Sequence, residues 1–103
     1  MTAGYRLTPR AAEGLRRIAY HVAEHFTAEV AERVLDELER ALERLAANPG
    51  IGHRREDLTS DPEVRFWPVG PTLVAYRERR QRIEVLFVER GELDWEALLR
   101  KPE

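Results

Sequence analysis

The sequence lacks cysteine altogether, and this absence excludes disulfide bonds and zinc sites built on thiolates. It also lacks any apolar run of about 18 residues, the length that a membrane-spanning helix requires, and any recognisable signal peptide. We therefore expect a cytoplasmic protein whose fold depends on a hydrophobic core.

Lysine is almost absent, since Lys101 is the only lysine among 17 basic residues. The formal net charge of -2 argues against a general nucleic-acid binder, which is usually strongly basic. Arginine pairs bidentately with carboxylates, so an arginine-rich surface is compatible with an acidic protein partner. A gene whose base composition favours arginine codons would explain the same bias, and the composition leaves both explanations open.

The chain length fits one domain. Its 103 residues fall in the usual range of about 50 to 250 for a domain, which predicts a single domain over residues 1–103. Hydrophobic residues make up 43% and charged residues 35%, which is too apolar for a disordered chain. We therefore expect a soluble globule with a modest core.

Two helices are predicted in the first half of the chain. A short strand, residues 5–7, leads into Thr8-Pro9, where a hydroxyl cap and a proline at the first helical position mark a helix start. This helix ends near Phe26, and Thr27 can cap a second one that Asn48-Pro49-Gly50 ends. Because so few residues separate the helices, they must form a hairpin. Each carries an apolar stripe at helical spacing, made of Ala11, Leu15, Ile18, Ala19 and Val22 in the first helix and of Val30, Val34, Leu38, Leu42 and Leu45 in the second.

Three strands are predicted in the second half, over residues 64–69, 73–79 and 82–90. The last two form a hairpin that turns at Arg80-Gln81, and Asp94 can cap a short final helix. These elements predict an α+β fold. In it an N-terminal strand and a helical hairpin pack on a small antiparallel β-sheet, with a short C-terminal helix.

The last strand is apolar on both faces. Simple alternation places Val85 and Phe87 on one side and Leu86 and Val88 on the other. The helical hairpin can cover one face, but a short C-terminal tail is poor cover for the second. We therefore expect an exposed apolar patch, which usually marks an interaction site. The alternative is that the tail folds back and covers the face.

Four arginines surround the predicted hairpin turn, namely Arg77, Arg79, Arg80 and Arg82. A charged tip of this kind can discourage aggregation through the sheet edges. It can also contact acidic residues of a partner protein. The sequence leaves both roles open.

The order of elements and several segments resemble the ParE/RelE toxin superfamily, and the ParE branch in particular. The likeness runs from about Tyr5 to Leu98 and is strongest at the end of the second helix. The matching segments are YRLTP at residues 5–9, LAANPGIGHR at 45–54, VRFWPVG at 64–70, LVAYR at 73–77 and DW at 94–95.

The resemblance implies a toxin of a type II toxin–antitoxin system that inhibits DNA gyrase by protein binding, without catalysis and without a cofactor. A co-encoded ParD-like antitoxin would hold it inactive in a hetero-oligomer. Such antitoxins usually join a ribbon-helix-helix DNA-binding domain to a flexible arm that lies along the toxin's helical hairpin and sheet. Nucleic acid would then be bound only indirectly, through the antitoxin.

Two groups of residues are candidate contacts within this interpretation. The predicted antitoxin-binding residues are Arg65, Trp67, Arg77, Val85 and Phe87, which lie on strands that also carry the apolar faces. The predicted target-binding residues are Arg90 and Trp95, which lie on a loop and a short helix that the core does not obviously require. Arginine and tryptophan are also the residue types most enriched at interface hot spots.

A ribosome-dependent messenger-RNA endonuclease, the activity of the RelE relatives, is the enzymatic alternative. Such nucleases need cationic and acid–base groups around the scissile phosphate. Leu73 and Gly91 stand at two positions where those relatives tend to carry arginine, so we expect no RNA cleavage. The loop after Arg90 is acidic, whereas it is usually basic in ParE toxins, and a degenerate toxin that binds only its antitoxin is a further alternative.

One short motif, His21-Val22-Ala23-Glu24-His25, matches the H-x-x-E-H pattern of inverted zinc peptidases. Three fixed residues in five are a weak signal, and such enzymes need a third ligand and a much larger scaffold. We therefore predict no metal site and interpret the motif as polar helix surface.

Overall fold

The computed structural model describes residues 4–91, and within them it confirms the predicted α+β fold. The elements are β1 (Tyr5–Leu7), α1 (Pro9–His25), α2 (Ala28–Ala47), a 3-10 turn (Pro49–Ile51), β2 (Arg65–Val69), β3 (Thr72–Arg79) and β4 (Arg82–Arg90). The final helix predicted to start at Asp94 lies outside the described residues. No helix within residues 4–91 has the length and apolar character needed to cross a bilayer.

Both helices begin at the threonines that the sequence indicates. The Thr8 hydroxyl accepts a hydrogen bond from the amide of Ala11 at 3.1 Å, and the Thr27 hydroxyl accepts one from the amide of Val30 at 3.1 Å. Each cap of this kind stabilises a helix by about 1 kcal/mol. The Thr8 hydroxyl also donates to the carbonyl of Leu86 at 3.0 Å, which ties the start of α1 to the sheet.

The sheet has the order β1-β4-β3-β2 and is mixed. Strands β2, β3 and β4 form the predicted antiparallel sheet. Strand β1, the predicted N-terminal strand, joins the edge of this antiparallel sheet in parallel to β4. The reason is the route of the chain, because the helical hairpin carries it away from β1 and the β2–β3–β4 meander returns it in the same direction as β1.

A bulge in β4 changes which side chains share a face. Ala75 pairs with Phe87 and Tyr76 pairs with Val85, so Leu86 is an extra residue with no partner of its own. The alternation of side chains between the two faces of the sheet therefore reverses after Leu86. Val85 packs in the core under the helices, whereas Leu86 and Phe87 pack on the far face. The prediction that Val85 and Phe87 share one face is wrong for this reason.

The far face of the sheet is buried and does not present the exposed apolar patch that the sequence predicts. It consists of Val64, Phe66, Leu73, Ala75, Leu86 and Phe87. None of these side chains is more than 9% exposed. Leu58 from the loop before β2 packs against the cluster, and the Arg10 guanidinium lies 5.7 Å from the centre of the Phe87 ring.

Helix α1 lies against the part of β4 that β1 does not reach. β1 pairs only with Ile83, Glu84 and Val85. Beyond them α1 approaches so closely that a Cβ atom built on Gly14 would be 2.1 Å from the carbonyl oxygen of Val88. Only a glycine leaves room for this approach.

Candidate functional site

The described residues form a groove between the helical hairpin and one end of the sheet. Its volume is about 820 Å³. One wall is formed by the second half of α1 and the first half of α2, and the opposite wall by the end of β2, the start of β3 and the end of β4. The fold places the loop end of the hairpin over the β2–β3 turn, and this arrangement creates the groove.

Apolar side chains line most of the groove. Ile18 and Leu38 are buried at its base, and Val22 and Val34 are half-buried beside them. Two large aromatic residues stand at its mouth: Tyr20 and Phe26 are each 68% exposed. Within residues 4–91 they are the only large hydrophobic side chains with such exposure. Exposed aromatic residues next to an apolar groove are typical of a protein-binding surface.

Charged residues form the rim of the groove. Glu89, which is 7% exposed, pairs with Arg17 of α1, and Glu13 pairs with Arg16 at 2.8 Å. The hydrogen bond from Arg16 lowers the pKa of the Glu13 carboxyl below its ordinary value. Both acids are already paired with arginines of α1, so the rim resembles the polar border of a protein interface.

Of the two predicted target-binding residues, Arg90 lies on the wall of this groove. It ends β4 and its side chain is exposed. Trp95 lies outside the described residues. Arg90 and the two aromatic residues thus border one groove, although they come from opposite ends of the chain.

The predicted antitoxin-binding residues Arg65 and Trp67 lie on the helix side of β2. Arg65 donates a hydrogen bond to the carbonyl of Gly52 at 3.1 Å. The half-buried Trp67 ring stacks on His53 with ring centres 5.7 Å apart, and the Arg44 guanidinium lies 5.8 Å from its centre. Both side chains therefore hold the segment after α2 against the sheet, and their role in binding stays a prediction.

The other three predicted antitoxin-binding residues are not brought together by the fold. Arg77 bonds to Glu84 at 2.9 Å on the far face, where Arg6 pairs with the same carboxylate. Burial by itself would raise the pKa of Glu84, but the hydrogen bonds from the two arginines lower it overall. Val85 has no exposed surface and Phe87 is 5% exposed, on opposite faces of the sheet. A partner could reach them only if the structure around them moved.

Tyr76 is a structural residue at the centre of the sheet. It is completely buried, accepts a hydrogen bond from the Gly52 amide at 2.9 Å and donates one to the Pro49 carbonyl at 2.6 Å. Burial raises the pKa of its phenol. The tyrosine therefore stays protonated at neutral pH and fixes the turn after α2.

The two histidine rings of the H-x-x-E-H motif contact each other on α1 in a tilted arrangement. Their ring centres are 4.2 Å apart, and Nδ1 of His25 lies 2.9 Å from the carbonyl oxygen of His21. Among residues 4–91, no group of three or more histidine, cysteine or acidic side chains is arranged to hold a metal ion.

The sequence interpretation missed the aromatic residues at the mouth of the groove. Tyr20 lies beside the apolar stripe of α1, and Phe26 occupies its C-cap. A signal was present, because a large aromatic residue outside the stripe of an amphipathic helix has no core to enter. That signal indicates exposure but not which elements lie opposite.

Comparison with known proteins gives a consistent result. A family model described as the ParE toxin of type II toxin-antitoxin system, parDE, matches residues 5–95. A solved structure described as "Chromosomal ParDE TA system from P. aeruginosa" is similar in fold, with a TM-score of 0.71 over 85% of this chain and 95% of that chain. Its sequence identity is 24%, so this likeness concerns the fold alone. No curated protein sequence matches the chain.

Proposed function

Because this chain belongs to the ParE toxin family of type II toxin–antitoxin systems, we propose that it inhibits DNA gyrase in the cytoplasm by binding to it, and that a co-encoded ParD-like antitoxin neutralises it. The observation that carries the proposal is the apolar groove with Tyr20 and Phe26 at its mouth. Binding, without chemistry, is the proposed mode of action.

The groove is suited to an apolar segment of an antitoxin. Its volume of about 820 Å³ can take several side chains, and its base consists of aliphatic residues. In the free protein the side chains of Tyr20 and Phe26 are exposed to solvent. Covering apolar surface contributes about 25 cal/mol per Å², from which the cost of ordering a flexible arm is subtracted.

The position of Arg90 suggests how an antitoxin could neutralise the toxin. Arg90 is the predicted gyrase contact, and it lies on the wall of the same groove. A segment bound between α1 and the end of β4 would cover it. Neutralisation would then follow from competition for one surface, with no change in the toxin's fold.

The proposal of a non-enzymatic toxin is supported by two positions. Leu73 is 9% exposed and belongs to the far-face cluster, and the amide of Gly91 donates a hydrogen bond to the carbonyl of Pro71 at 2.9 Å. Neither residue supplies a cationic group to a scissile phosphate. We expect no messenger-RNA cleavage by the purified protein on translating ribosomes, and specific cleavage in the ribosomal A site would overturn this part of the proposal.

The gyrase proposal is tested by a supercoiling assay with the wild type, Arg90→Ala and a control, Arg40→Ala, which removes an exposed arginine from α2. We expect inhibition by the wild type and the control at micromolar concentration and a loss of about tenfold or more with Arg90→Ala, as for a hot-spot arginine. The three proteins must have matching melting temperatures, so that a loss of inhibition does not reflect unfolding. Equal inhibition by all three proteins would exclude Arg90 as a gyrase contact, and no inhibition by the wild type would exclude gyrase as the target.

Antitoxin binding is tested by calorimetry with the product of a neighbouring reading frame that encodes a ribbon-helix-helix domain and an amphipathic arm. Phe26→Ala should weaken binding by about tenfold, because an exposed aromatic residue at a groove is a typical anchor. Arg65→Ala and Arg77→Ala should do the same if their predicted role is right. Since both arginines also hold internal contacts, the change in affinity counts only if their melting temperatures stay near that of the wild type.

A further inference from the structure

The turn between β3 and β4 is built from residues that do not favour its backbone shape. Arg80 and Gln81 form a two-residue turn with φ angles of 52° and 67°. Turns of this type strongly prefer asparagine and glycine, because most side chains are strained at positive φ. Within residues 4–91, Arg80 and Gln81 are the only non-glycine residues with positive φ.

The same tip also places like charges opposite each other. Arg79 and Arg82 are direct partners in the β3–β4 ladder, and like charges in this arrangement destabilise a hairpin. The tip, defined as Arg79, Arg80, Gln81 and Arg82, thus combines backbone strain with charge repulsion. Local strain of this kind is typical of functional sites, where another requirement decides the residue type.

Two arginines of the tip carry charge that no ion pair within residues 4–91 balances. Arg79 pairs with Glu63 at 3.3 Å, but neither Arg80 nor Arg82 forms an ion pair with any residue from 4 to 91, and both are exposed.

We propose that this tip is a docking site for an acidic, extended segment of a partner protein. Guanidinium groups bind carboxylates bidentately, and the turn presents the exposed Arg80 and Arg82 side by side at one end of the sheet. A carboxylate segment is favoured over nucleic acid because the chain as a whole has a net charge of -2, which repels a long polyanion. The site is separate from the groove, since β3 runs from one to the other over roughly 23 Å at about 3.3 Å per residue.

The experiment measures fluorescence anisotropy of a labelled Glu-Gly repeat peptide at low ionic strength, with a Gln-Gly peptide as the neutral control. The tip variant is R80Q/R82Q. Its matched control is R33Q/R40Q, which removes two exposed arginines from α2 and gives the same net charge. We expect the acidic peptide to bind the wild type, to bind R80Q/R82Q about tenfold more weakly, and to bind the control within about twofold of the wild type.

A second variant, R80N/Q81G, separates this role from a structural one. It supplies the preferred turn residues, so its melting temperature should rise while its affinity for the acidic peptide falls. Equal affinity of the two double-glutamine variants would overturn the proposal, and so would a lowered melting temperature of R80N/Q81G. Tighter, tip-dependent binding of a single-stranded DNA would mean that the site takes phosphates instead. The gyrase assay concerns Arg90 at the other end of the sheet, so either proposal can fail without the other.

Discussion

We expect the replacement of Gly14 by alanine to destabilise the protein, which is the opposite of the usual effect of this substitution in a helix. In the middle of an exposed helix, alanine is more stable than glycine by about 1 kcal/mol. Gly14 lies in the interior of α1 and is buried against β4. A Cβ atom there would be 2.1 Å from the Val88 carbonyl oxygen and 3.2 Å from the Val88 carbonyl carbon. Ordinary contact begins near 3.4 Å, so helix and strand must separate by more than 1 Å.

The atom that Gly14→Ala meets belongs to the backbone of a strand paired in the sheet, and it cannot rotate away as a side chain would. Overpacking usually costs about 1 to 3 kcal/mol, and the upper end applies here. Subtracting the gain of about 1 kcal/mol in helix propensity leaves a net loss of about 2 kcal/mol. At about 4 to 8 °C for each kcal/mol, the melting temperature should fall by roughly 8 to 16 °C.

Thermal unfolding, monitored by circular dichroism, checks this expected fall in melting temperature. Gly50→Ala is the matched control, because a Cβ atom on Gly50 would meet nothing within 4 Å. Its melting temperature should stay within about 3 °C of the wild type, which corresponds to the ±0.5 kcal/mol typical of surface substitutions. A melting temperature of Gly14→Ala equal to or above that of the wild type would refute the contact between α1 and β4 as the structure has it.

Three further substitutions test the fold. Tyr76→Phe removes the hydroxyl that holds Gly52 and should cost about 1 to 3 kcal/mol in urea unfolding, because a buried amide loses its partner; an unchanged midpoint would contradict this. Glu84→Gln should cost about 1 to 3 kcal/mol at neutral pH through its weakened bond to Arg77. Because folding lowers the pKa of Glu84, this stabilisation is present above the ordinary pKa of 4.5 and disappears as the pH falls through the lower pKa of the folded state. The melting temperatures of the wild type and Glu84→Gln should therefore converge in acid. A difference in melting temperature that stays constant with pH would contradict the lowered pKa of Glu84. Thr27→Ala removes the cap of α2 and should lower the free energy of unfolding by about 1 kcal/mol. A decrease smaller than about 0.5 kcal/mol in the same urea-unfolding assay would argue against the cap.

The groove and the arginine tip lie at opposite ends of the sheet, and this separation makes their roles testable one at a time. Phe26 and Arg90 border the groove, whereas Arg80 and Arg82 belong to the tip. An antitoxin segment in the groove would leave the tip accessible. If the antitoxin is confined to the groove, a complex of the two proteins should still bind the acidic peptide.

The sequence predicts the candidate site only in part. The type and position of Arg90 predict a contact residue, and the structure places it on the groove wall. Simple alternation points to Val85 and Phe87, but the bulge at Leu86 interrupts that alternation. No sequence pattern points to Tyr20 and Phe26 as contact residues, because their importance depends on the strands that lie opposite them and not on their own helix.

The sequence by itself determined the local structure of this protein. Thr8 and Thr27 cap the helices, Asn48 and Pro49 end the hairpin, and the strand boundaries agree to within a residue. These features depend on hydrogen bonds and steric limits among residues only a few positions apart, so their signals lie in short segments. The tertiary structure decided the rest: the parallel pairing of β1, the bulge, the close approach at Gly14 and the groove. Each of these depends on contacts between distant parts of the chain, such as the bond from the Thr8 hydroxyl to the Leu86 carbonyl, and no local pattern specifies which distant residues will meet.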